Sequence, residues 1–474
     1  MPGHVIGVDL AALQGTDGKR FGTLAWGTPV EVLEQTPERI RVHQGFVRNK
    51  PGVIVDADAA RVLRLDFVDV QQGDGAVLET PRGQVVLIDG GRNDLFARYL
   101  ASRYRGTKDT APKEIAAIVV THGDADHFEG LTRIVDSEQL TGVRRLFAHP
   151  ERVFHNGLVK RPDGTPVEAM FGDSEPIGDT PLITGLVDDL RTVPDVEMNS
   201  KFKAWKRALE HFATRGEVKV ERLQRGDRDE FGFLAEEDVE VEVLGPLPET
   251  RGAFTGLPFL RQPERRFGHP DANPTTFGAI SASHTINGHS IVLRLTYGRW
   301  RFLFAGDLND EAERTLVAAH RNGELSLRSE VFKVPHHGSA DFHHDFLRLV
   351  APVASIVSSG DESGAEEHIH PRATLMSGLG RYGRAQDPVI FVTELAAFFR
   401  YEGPVYKRVP TPEKPLTERD RFIGFSRPTF GAVRVRTDGH RLLVYTESGR
   451  VDRLEAYAWT LAGGRAVPQR VTTA

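Results

Sequence analysis

The strongest chemical signal is a cluster of potential metal ligands directly after an apolar run in the first third of the chain. Residues 118–120 are Ile, Val and Val, and four such ligands follow within a few residues: His122, Asp124, Asp126 and His127. Two carboxylates beside two imidazoles are costly to bury unless a divalent cation compensates their charge. A polar turn after a strand is the alternative, but turns rarely concentrate ligands in this way. The pattern therefore predicts a metal site at the end of a buried strand.

A second signal is Asp307, which follows the strand-like residues 301–305 and Gly306. A carboxylate at the end of a buried strand can lie between two cations. Taken alone, Asp307 could instead be the N-cap of a helix that begins near Asp310. Beside the first cluster, the bridging role is the favoured interpretation.

Two consecutive histidines, His336 and His337, follow the strand-like residues 331–334. Adjacent side chains at a strand end point in different directions, so only one of the pair is expected to face a given metal. The other is free to contact a substrate or to donate a proton. His370, which precedes Pro371, is a further candidate, with a surface histidine as the alternative.

Composition limits the chemistry that the 474 residues can carry. The sequence has no cysteine, which excludes disulfides and thiol nucleophiles and leaves His, Asp and Glu as metal ligands. A formal net charge of -6 gives no global attraction to polyanions, so nucleic acid would need a local basic patch. Neither a signal peptide nor an apolar run of about 18 residues is evident. We therefore expect a cytoplasmic protein without a membrane partner.

The chain divides into a small N-terminal β-barrel-like module, residues 1–60, and an α/β domain, residues 61–474. In the larger part, apolar runs end in Asp, His or Gly and alternate with helix-like stretches, which indicates a layered α/β fold with its chemistry at strand ends. Residues 150–235 break this rhythm, contain a helix predicted from Lys201 to Thr214, and are interpreted as an insertion over the site. Another insertion is expected near residues 403–428. A β-rich C-terminal segment is expected to complete the fold by extending the second sheet.

Taken together, the motifs resemble the metallo-β-lactamase domain of the DNA-internalisation competence protein family. They are His-x-Asp-x-Asp-His, Gly-Asp after a strand, His-His-Gly-Ser and a later His-Pro, and residues 67–76, 87–91 and 243–246 are similar to that domain as well. The resemblance covers roughly residues 63–385 and implies a four-layer αββα metallo-β-lactamase fold. The membrane channel segments of that family are absent, so DNA uptake through a membrane is not implied.

The resemblance implies two divalent metal ions, zinc or manganese. We assign His122, Asp124 and His289 to the first ion. We assign Asp126, His127 and His337 to the second, with Asp307 shared. Many superfamily members carry His where Asp124 stands, so the first ion would have a more oxygen-rich shell that admits manganese beside zinc. The predicted catalytic residues are Asp126, His336 and His370.

Two such ions would hold a hydroxide between them, which makes water the nucleophile. The resemblance favours a phosphodiester substrate, in a nuclease or in an enzyme for a smaller phosphodiester. Cationic side chains in the expected loops could bind phosphate or nucleic acid, with a solvated surface charge as the alternative for each: Lys160, Arg161, Arg261, Arg265, Arg266 and Lys333. Two alternatives remain open: a lactonase or another carboxyl-ester or amide hydrolase, and a metal-stabilised binding or scaffold protein.

Overall fold

The structure of the protein is a computed structural model. It describes residues 3–263, 277–360, 370–396, 398–406, 411–412, 414–417, 421–429, 431–446 and 455–474. Arg265 and Arg266, two of the cationic candidates, lie outside the described residues, as does part of the predicted insertion at 403–428.

The N-terminal β module predicted from the sequence consists of two small sheets. Its elements are β1 (His4–Ile6), β2 (Leu10–Gln14), β3 (Arg20–Ala25), β4 (Pro29–Val30), β5 (Val32–Gln35), β6 (Arg39–Val42), β7 (Gly45–Arg48), β8 (Ile54–Asp56) and the helical turn α1 (Ala57–Ala60). The strand orders are β4-β1-β8 and β3-β2-β7-β6-β5. Apolar side chains of both sheets, among them Ile6, Val30, Ile40 and Val47, share one core.

The remaining elements follow in three stretches of the chain. Residues 63–222 form β9 (Leu63–Val68), β10 (Ala76–Glu79), β11 (Val85–Ile88), α2 (Leu95–Arg103), β12 (Lys113–Ile115), β13 (Ala117–Val119), α3 (Ala125–Ser137), β14 (Ala148–Pro150), β15 (Arg152–His155), β16 (Ser174–Glu175), β17 (Leu182–Ile183), α4 (Ser200–Phe212) and β18 (Lys219–Arg222). Residues 239–357 form β19 (Val239–Gly245), β20 (Glu249–Arg251), β21 (Phe254–Pro258), β22 (Arg261–Pro263), β23 (Phe277–Ile280), α5 (Ala282–Gly288), β24 (Val292–Tyr297), β25 (Trp300–Phe304), α6 (Asp310–Arg321), β26 (Val331–Lys333), α7 (His344–Val350) and β27 (Ala354–Val357). Residues 373–469 form α8 (Ala373–Tyr382), β28 (Val389–Val392), α9 (Thr393–Ala396), β29 (Phe398–Tyr406), β30 (Arg421–Thr429), β31 (Ala432–Thr437), β32 (Arg441–Thr446), β33 (Ala456–Ala462) and β34 (Arg465–Gln469).

Two large sheets form the centre of the fold. The first has ten strands in the order β18-β15-β13-β11-β10-β9-β31-β32-β33-β34, and the second has six in the order β19-β24-β25-β26-β27-β28. In the first sheet, β11, β13, β15 and β18 are parallel neighbours. In the second, β25 to β28 are parallel neighbours. Each sheet therefore has one edge where several carboxyl ends of strands come together.

Apolar packing arranges these sheets in four layers. Side chains from both sheets, such as Leu65, Phe67, Phe302 and Phe304, share the core between them. The outer face of the first sheet packs against α2, α3 and α4, and that of the second against α6, α7 and α8. This is the αββα arrangement predicted from the sequence. Of the helices within the described ranges, none is long and apolar enough to span a lipid bilayer.

The C-terminal strands extend the first sheet, so the expectation that they complete the second sheet is wrong. Strand β31 pairs antiparallel along the whole of β9, from Ala432 opposite Val68 to Thr437 opposite Leu63. The last residues of the chain also hydrogen-bond to the N-terminal module, where the backbone nitrogen of Ala12 donates to the Ala474 carbonyl oxygen at 2.8 Å. The pairing of β31 with β9 is stabilised by ion pairs, because it brings Arg434 and Arg436 of β31 beside the buried Asp66 of β9.

Residues 150–235, expected to be an insertion over the site, contribute to the main layers. They supply β15 and β18 to the first sheet and α4 to its outer helical layer. Helix α4 begins where the side chain of Asn199 accepts hydrogen bonds from the backbone nitrogens of Lys201 and Phe202, which fixes its first turn. The ring of Phe202 packs 5.1 Å from that of Phe128 in α3. Helix α4 is thus packed against α3, whose first turn carries Asp126 and His127.

A buried ion network centred on Asp66 joins β9 to β31. Asp66 accepts hydrogen bonds from Arg436 at 2.8 Å, Arg103 at 2.8 Å and Tyr99 at 2.6 Å. Burial alone would raise the pKa of Asp66, but the neighbouring guanidiniums outweigh it and hold that pKa well below its usual range. The charge of Asp66 is therefore needed to compensate arginines that are themselves buried.

We expect Asp66→Asn to lower the free energy of unfolding by about 3–5 kcal/mol, because it leaves the buried guanidinium of Arg436 without its counter-ion. Urea unfolding followed by circular dichroism measures this. The control is Asp238→Asn, whose carboxylate is 75% exposed and pairs with Arg61 at the surface. This change should cost under about 1 kcal/mol. Equal effects of the two substitutions would contradict the proposed role of the network.

Candidate metal centre

The ligand cluster predicted from the sequence lies at the carboxyl end of β13. His122 follows that strand closely, Asp124 precedes α3, and Asp126 and His127 occupy its first turn. A Cβ atom on Gly123 would lie 2.5 Å from the Phe202 ring and 2.8 Å from a methyl carbon of Ile286. Glycine therefore lets the turn pass between α4 and α5 without displacing either side chain.

Asp307 reaches the same place from the second sheet. It follows β25, is buried, and its backbone nitrogen donates to Ser290 Oγ at 3.0 Å. The N-cap of α6 is Asn309, whose side chain accepts a hydrogen bond from the backbone nitrogen of Ala312. Asp307 is thus not the helix cap, and its carboxylate lies 3.3 Å from His127 Nε2 and 3.2 Å from His337 Nε2.

His337 enters from the end of β26 through a constrained backbone. His336 and His337 both have positive φ angles, 49° and 53°, a conformation that is unusual for residues other than glycine. The Nδ1 of His337 lies 3.1 Å from the carbonyl oxygen of Ser358, to which it donates. Its Nε2 lies 3.5 Å from Asp126 Oδ2. The unusual backbone thus turns one nitrogen of His337 toward the carboxylates and anchors the other.

Hydrogen bonds at the far side of each ring orient the other imidazoles in the same way. His127 Nδ1 lies 2.9 Å from Asp89 Oδ2, and His122 Nδ1 lies 3.2 Å from Thr121 Oγ1. Thr121 in turn donates to Asp89 at 2.7 Å, which leaves its oxygen to accept from His122. Carboxylates and hydroxyls that hold a ring in this manner leave Nε2 with a free lone pair, as metal-binding histidines require.

The donor atoms converge closely enough to hold a metal. Atoms of His122, His127 and Asp307 lie within 4.8 Å of one another, as do atoms of Asp126, His127 and His337. Within the described part of the chain, His127 Nε2, His337 Nε2 and Asp307 Oδ1 are buried without a well-formed hydrogen bond. Buried polar atoms normally have partners, so these atoms fit a site that is completed by a cation. Two nitrogens and two carboxylates are also a suitable ligand set for zinc or manganese.

The electrostatics of the centre favour a cation. Burial would raise the pKa of Asp307, but His337 and His127 outweigh it and hold that pKa well below its usual range. Conversely, burial would lower the pKa values of His127 and His337, but Asp307 and neighbouring carboxylates raise them well above the usual value. The pKa of His122 is lowered well below its usual value by burial and by His127. The pocket therefore stabilises positive charge between Asp307 and the rings of His127 and His337.

Two predicted ligands of the first ion have other partners. The Lys160 ammonium contacts Asp124 Oδ1 closely. His289 Nε2 donates to the carbonyl oxygen of Pro258 at 2.7 Å, and among the described residues no group of converging donors includes His289. The structure thus brings together His122, Asp126, His127, His337 and Asp307, but not His289.

The predicted catalytic histidines lie beside the centre. The ring centroids of His336 and His370 are 6.0 Å apart, and those of His336 and His337 are 6.3 Å apart. His336 Nε2 lies 3.5 Å from the side-chain amide of Asn287. Both His336 and His370 remain partly exposed, which leaves them accessible to a substrate.

The cationic candidates for phosphate binding are held by the protein. Lys333 is buried, contacts Asp74 and donates to the carbonyl oxygen of Val334 at 2.8 Å. Arg261 donates to the carbonyl oxygen of Asp179, and Arg161 pairs with Glu197 at 3.1 Å. Lys333, Arg261 and Arg161 therefore each have a carboxylate or carbonyl partner within the protein.

Sequence patterns gave no role to Asp74 or Asp89, and they suggested phosphate binding, not a contact with Asp124, for Lys160. Asp74 Oδ1 lies 3.3 Å from His337 Nδ1, and Asp89 orients His127. The available signal was the position of each aspartate at a turn or strand end in the segments 67–76 and 87–91. Neither aspartate has another potential ligand within two positions in the sequence, so neither pattern resembled a metal motif.

Comparison with known families matches residues 68–163 to the metallo-beta-lactamase superfamily. The similarity to the superfamily is therefore shown for this segment of the chain. The segment includes the turn from His122 to His127 together with Asp74 and Asp89, whereas Asp307 and His337 lie beyond the matched residues. The match is made at the level of the superfamily, so the resemblance to the competence protein family stays a prediction.

Two solved structures are similar to the chain. Tm1679, a metal-dependent hydrolase of the beta-lactamase superfamily, is 11% identical and covers 70% of this chain and 96% of its own, with a TM-score of 0.32. A protein from Parabacteroides distasonis ATCC 8503, provisionally named a metal-dependent hydrolase, is 12% identical and covers 70% of this chain and 93% of its own, with a TM-score of 0.29. Comparison with curated proteins gives no match. At these TM-scores the two structures assign neither an activity nor ligands to this chain.

We expect Asp307→Asn to lose most of its bound metal, because Asp307 is the carboxylate that both His127 and His337 face. Metal content after equilibration with Zn²⁺ and gel filtration, measured by inductively coupled plasma mass spectrometry, checks this. His289→Gln is the matched control, since His289 is equally buried but donates to Pro258. The His289→Gln variant should retain the wild-type metal content. If it loses as much metal as Asp307→Asn, His289 is a metal ligand after all.

Asp89→Asn tests the orientation of His127. The amide keeps one acceptor oxygen where the carboxylate offers two, to Thr121 and to His127, and it has no charge. The substitution should therefore weaken metal affinity by about 10–100-fold, the usual effect of losing such a partner. Competition with a chromophoric chelator measures the affinity, and circular dichroism confirms folding. A folded variant with unchanged affinity would show that Asp89 has no part in preparing the ring for a metal.

Proposed function

We propose that the protein is a metal-dependent hydrolase that acts on phosphodiester bonds, in a nucleic acid or in a smaller molecule. The observation that supports hydrolysis is the convergence of two imidazole nitrogens with the carboxylates of Asp126 and Asp307 in a buried pocket. Zinc or manganese at such a centre supplies a Lewis acid that lowers the pKa of bound water to about 7. Water, and not a side chain, would then be the nucleophile.

The side chains around the centre fit distinct parts of this reaction. Asp126 and Asp307 provide negative oxygens on one side, and Asp89 keeps the ring of His127 in one orientation. His336 and His370, which lie on the accessible side, can contact a phosphoryl oxygen or donate a proton to the leaving oxygen. Asn287 lies within 3.5 Å of His336 and can fix the orientation of that ring. Together they would hold an ester bond next to the activated water.

The choice of phosphodiester rests on the resemblance to the competence protein family and on these two histidines. One observation favours a carboxyl-ester or lactone substrate instead. Lys333, Arg161 and Arg261 are held in ion pairs or hydrogen bonds within the protein, so they are not arranged to receive a phosphate. A lactonase or another carboxyl-ester or amide hydrolase is therefore the second proposed function, and a metal-stabilised binding protein is the alternative without turnover.

The full chain loaded with Zn²⁺ or Mn²⁺ is expected to hydrolyse bis(p-nitrophenyl) phosphate, and single-stranded or double-stranded DNA if it is a nuclease. Parallel assays with a lactone distinguish the two hydrolases, because consumption of the lactone alone would refute the phosphodiesterase. Asp126→Ala should reduce the rate at least about 100-fold, by analogy with the loss of one group that stabilises a transition state. Equal product from wild type and Asp126→Ala would assign the activity to a contaminant.

A further inference from the structure

Lys160 places a positive charge against Asp124, one of the ligands predicted for the first metal ion. Its ammonium makes a close contact with Asp124 Oδ1, and the side chains of Lys160 and Asp124 are only 19% and 23% exposed. Asp124 lies two residues from His122, whose Nε2 is 4.0 Å from Asp124 Oδ2 and 3.9 Å from Asp307 Oδ2. The lysine nitrogen therefore pairs with one oxygen of Asp124, and the other oxygen of the same carboxylate lies on the side of His122.

The position of Lys160 is built into the fold. Its carbonyl oxygen accepts a hydrogen bond of 3.0 Å from the backbone nitrogen of Asn199, the N-cap residue of α4. The preceding residue, Val159, is buried in the core that includes α3 and α4. Since α3 also carries Asp126 and His127, the backbone of Lys160 is fixed relative to the ligands. The lysine side chain therefore extends to Asp124 from a backbone that the fold holds in place.

The other oxygen of Asp124 also has a protein partner. The Asn287 amide satisfies both of its neighbours when its nitrogen faces Asp124 Oδ2 at 2.9 Å and the Ser283 carbonyl oxygen at 3.2 Å. Each Asp124 oxygen then accepts from a side-chain donor. With His289 bonded to Pro258, the predicted first set of ligands is reduced to His122 and the shared Asp307.

The second predicted set keeps its ligands. Asp126, His127 and His337 converge, and Asp307 lies between the two rings. No lysine or arginine contact with Asp126 or Asp307 is found in the described ranges, in contrast to the pairing of Asp124. The two halves of the pocket thus differ in charge: one faces an ammonium, and the other has carboxylates that face imidazoles.

We propose that Lys160 takes the place of the first metal ion, so that the protein holds one divalent cation at Asp126, His127, His337 and Asp307. The inference rests on the metal centre proposed above, and it differs from the two ions expected from the sequence. A second cation would have to approach the ammonium and would find Asp124 already paired. Lys160 is therefore a residue that determines how many ions the centre binds.

A metal count on the full chain tests the proposal. Purified protein is equilibrated with excess Zn²⁺ or Mn²⁺, freed of loosely held ions by gel filtration, and analysed by inductively coupled plasma and native mass spectrometry. We expect one ion per wild-type chain. Two ions per chain at full occupancy would overturn the inference, whereas a wild-type chain without any ion would refute the metal centre and, with it, the proposed function.

Lys160→Met removes the charge and keeps an unbranched side chain. It should raise the content from one ion to two, because Asp124 becomes available to a cation beside His122. Lys201→Met is the matched control, since Lys201 lies at the start of α4 and pairs with Glu129 of α3. This variant should still hold one metal ion per chain. A folded Lys160→Met chain that still holds one ion would contradict the proposal.

If Lys160→Met does not fold, Asp124→Asn tests the same point. Because Asp124 is not a ligand of the proposed single ion, this variant should keep one ion per chain, whereas Asp126→Asn should lose it. Loss of the ion from Asp124→Asn would show that Asp124 belongs to the occupied site and would overturn the proposal.

Discussion

The candidate metal centre depends on one carboxylate, that of Asp307, which stands between the imidazoles of His127 and His337. Asp307 and His337 come from neighbouring parallel strands of the second sheet, whereas His127 comes from a helix that packs on the first. The two sheets share a core, so their carboxyl ends meet at one side of the sandwich. The contact therefore requires both halves of the fold to be correctly placed, and it is where their chemistry converges.

Supporting hydrogen bonds make this convergence specific. Asp89 and Ser358 bind the Nδ1 atoms of His127 and His337, and both belong to segments that follow central strands. Thr121 links Asp89 to His122, so one aspartate orients two imidazoles through a short network. Rigid strands carry these partners, while the ligands occupy the turns that the strands hold in place. Such an arrangement directs the Nε2 atoms at the cation site in advance, so the imidazole rings do not have to become ordered when a cation binds.

The sequence predicted the parts of this centre that local patterns encode. His122, Asp126, His127, Asp307 and His337 follow apolar runs closely enough for strand ends to be read directly, and α4 was placed within two residues of its observed bounds. Other features depend on long-range packing. Strand β31 pairs with β9 across more than three hundred residues, and the partner of Asp124 comes from a segment that looked irregular. His289 has the residue type and position of a ligand, but the carbonyl oxygen of Pro258, at the end of β21, accepts its Nε2 hydrogen.

Buried carboxylates recur throughout the fold, and the cation that compensates each one indicates its role. Guanidiniums surround Asp66, which fixes one strand to another, and the Lys333 ammonium pairs with Asp74 behind the centre. Asp307 instead faces imidazoles, which can exchange a proton for a metal ion, as arginine and lysine do not. Asp124 belongs by sequence to the metal motif, yet it has a lysine partner like Asp74. Among the described residues, Asp126 and Asp307 thus differ from Asp66, Asp74 and Asp124 in having imidazole contacts without a contact to an ammonium or a guanidinium.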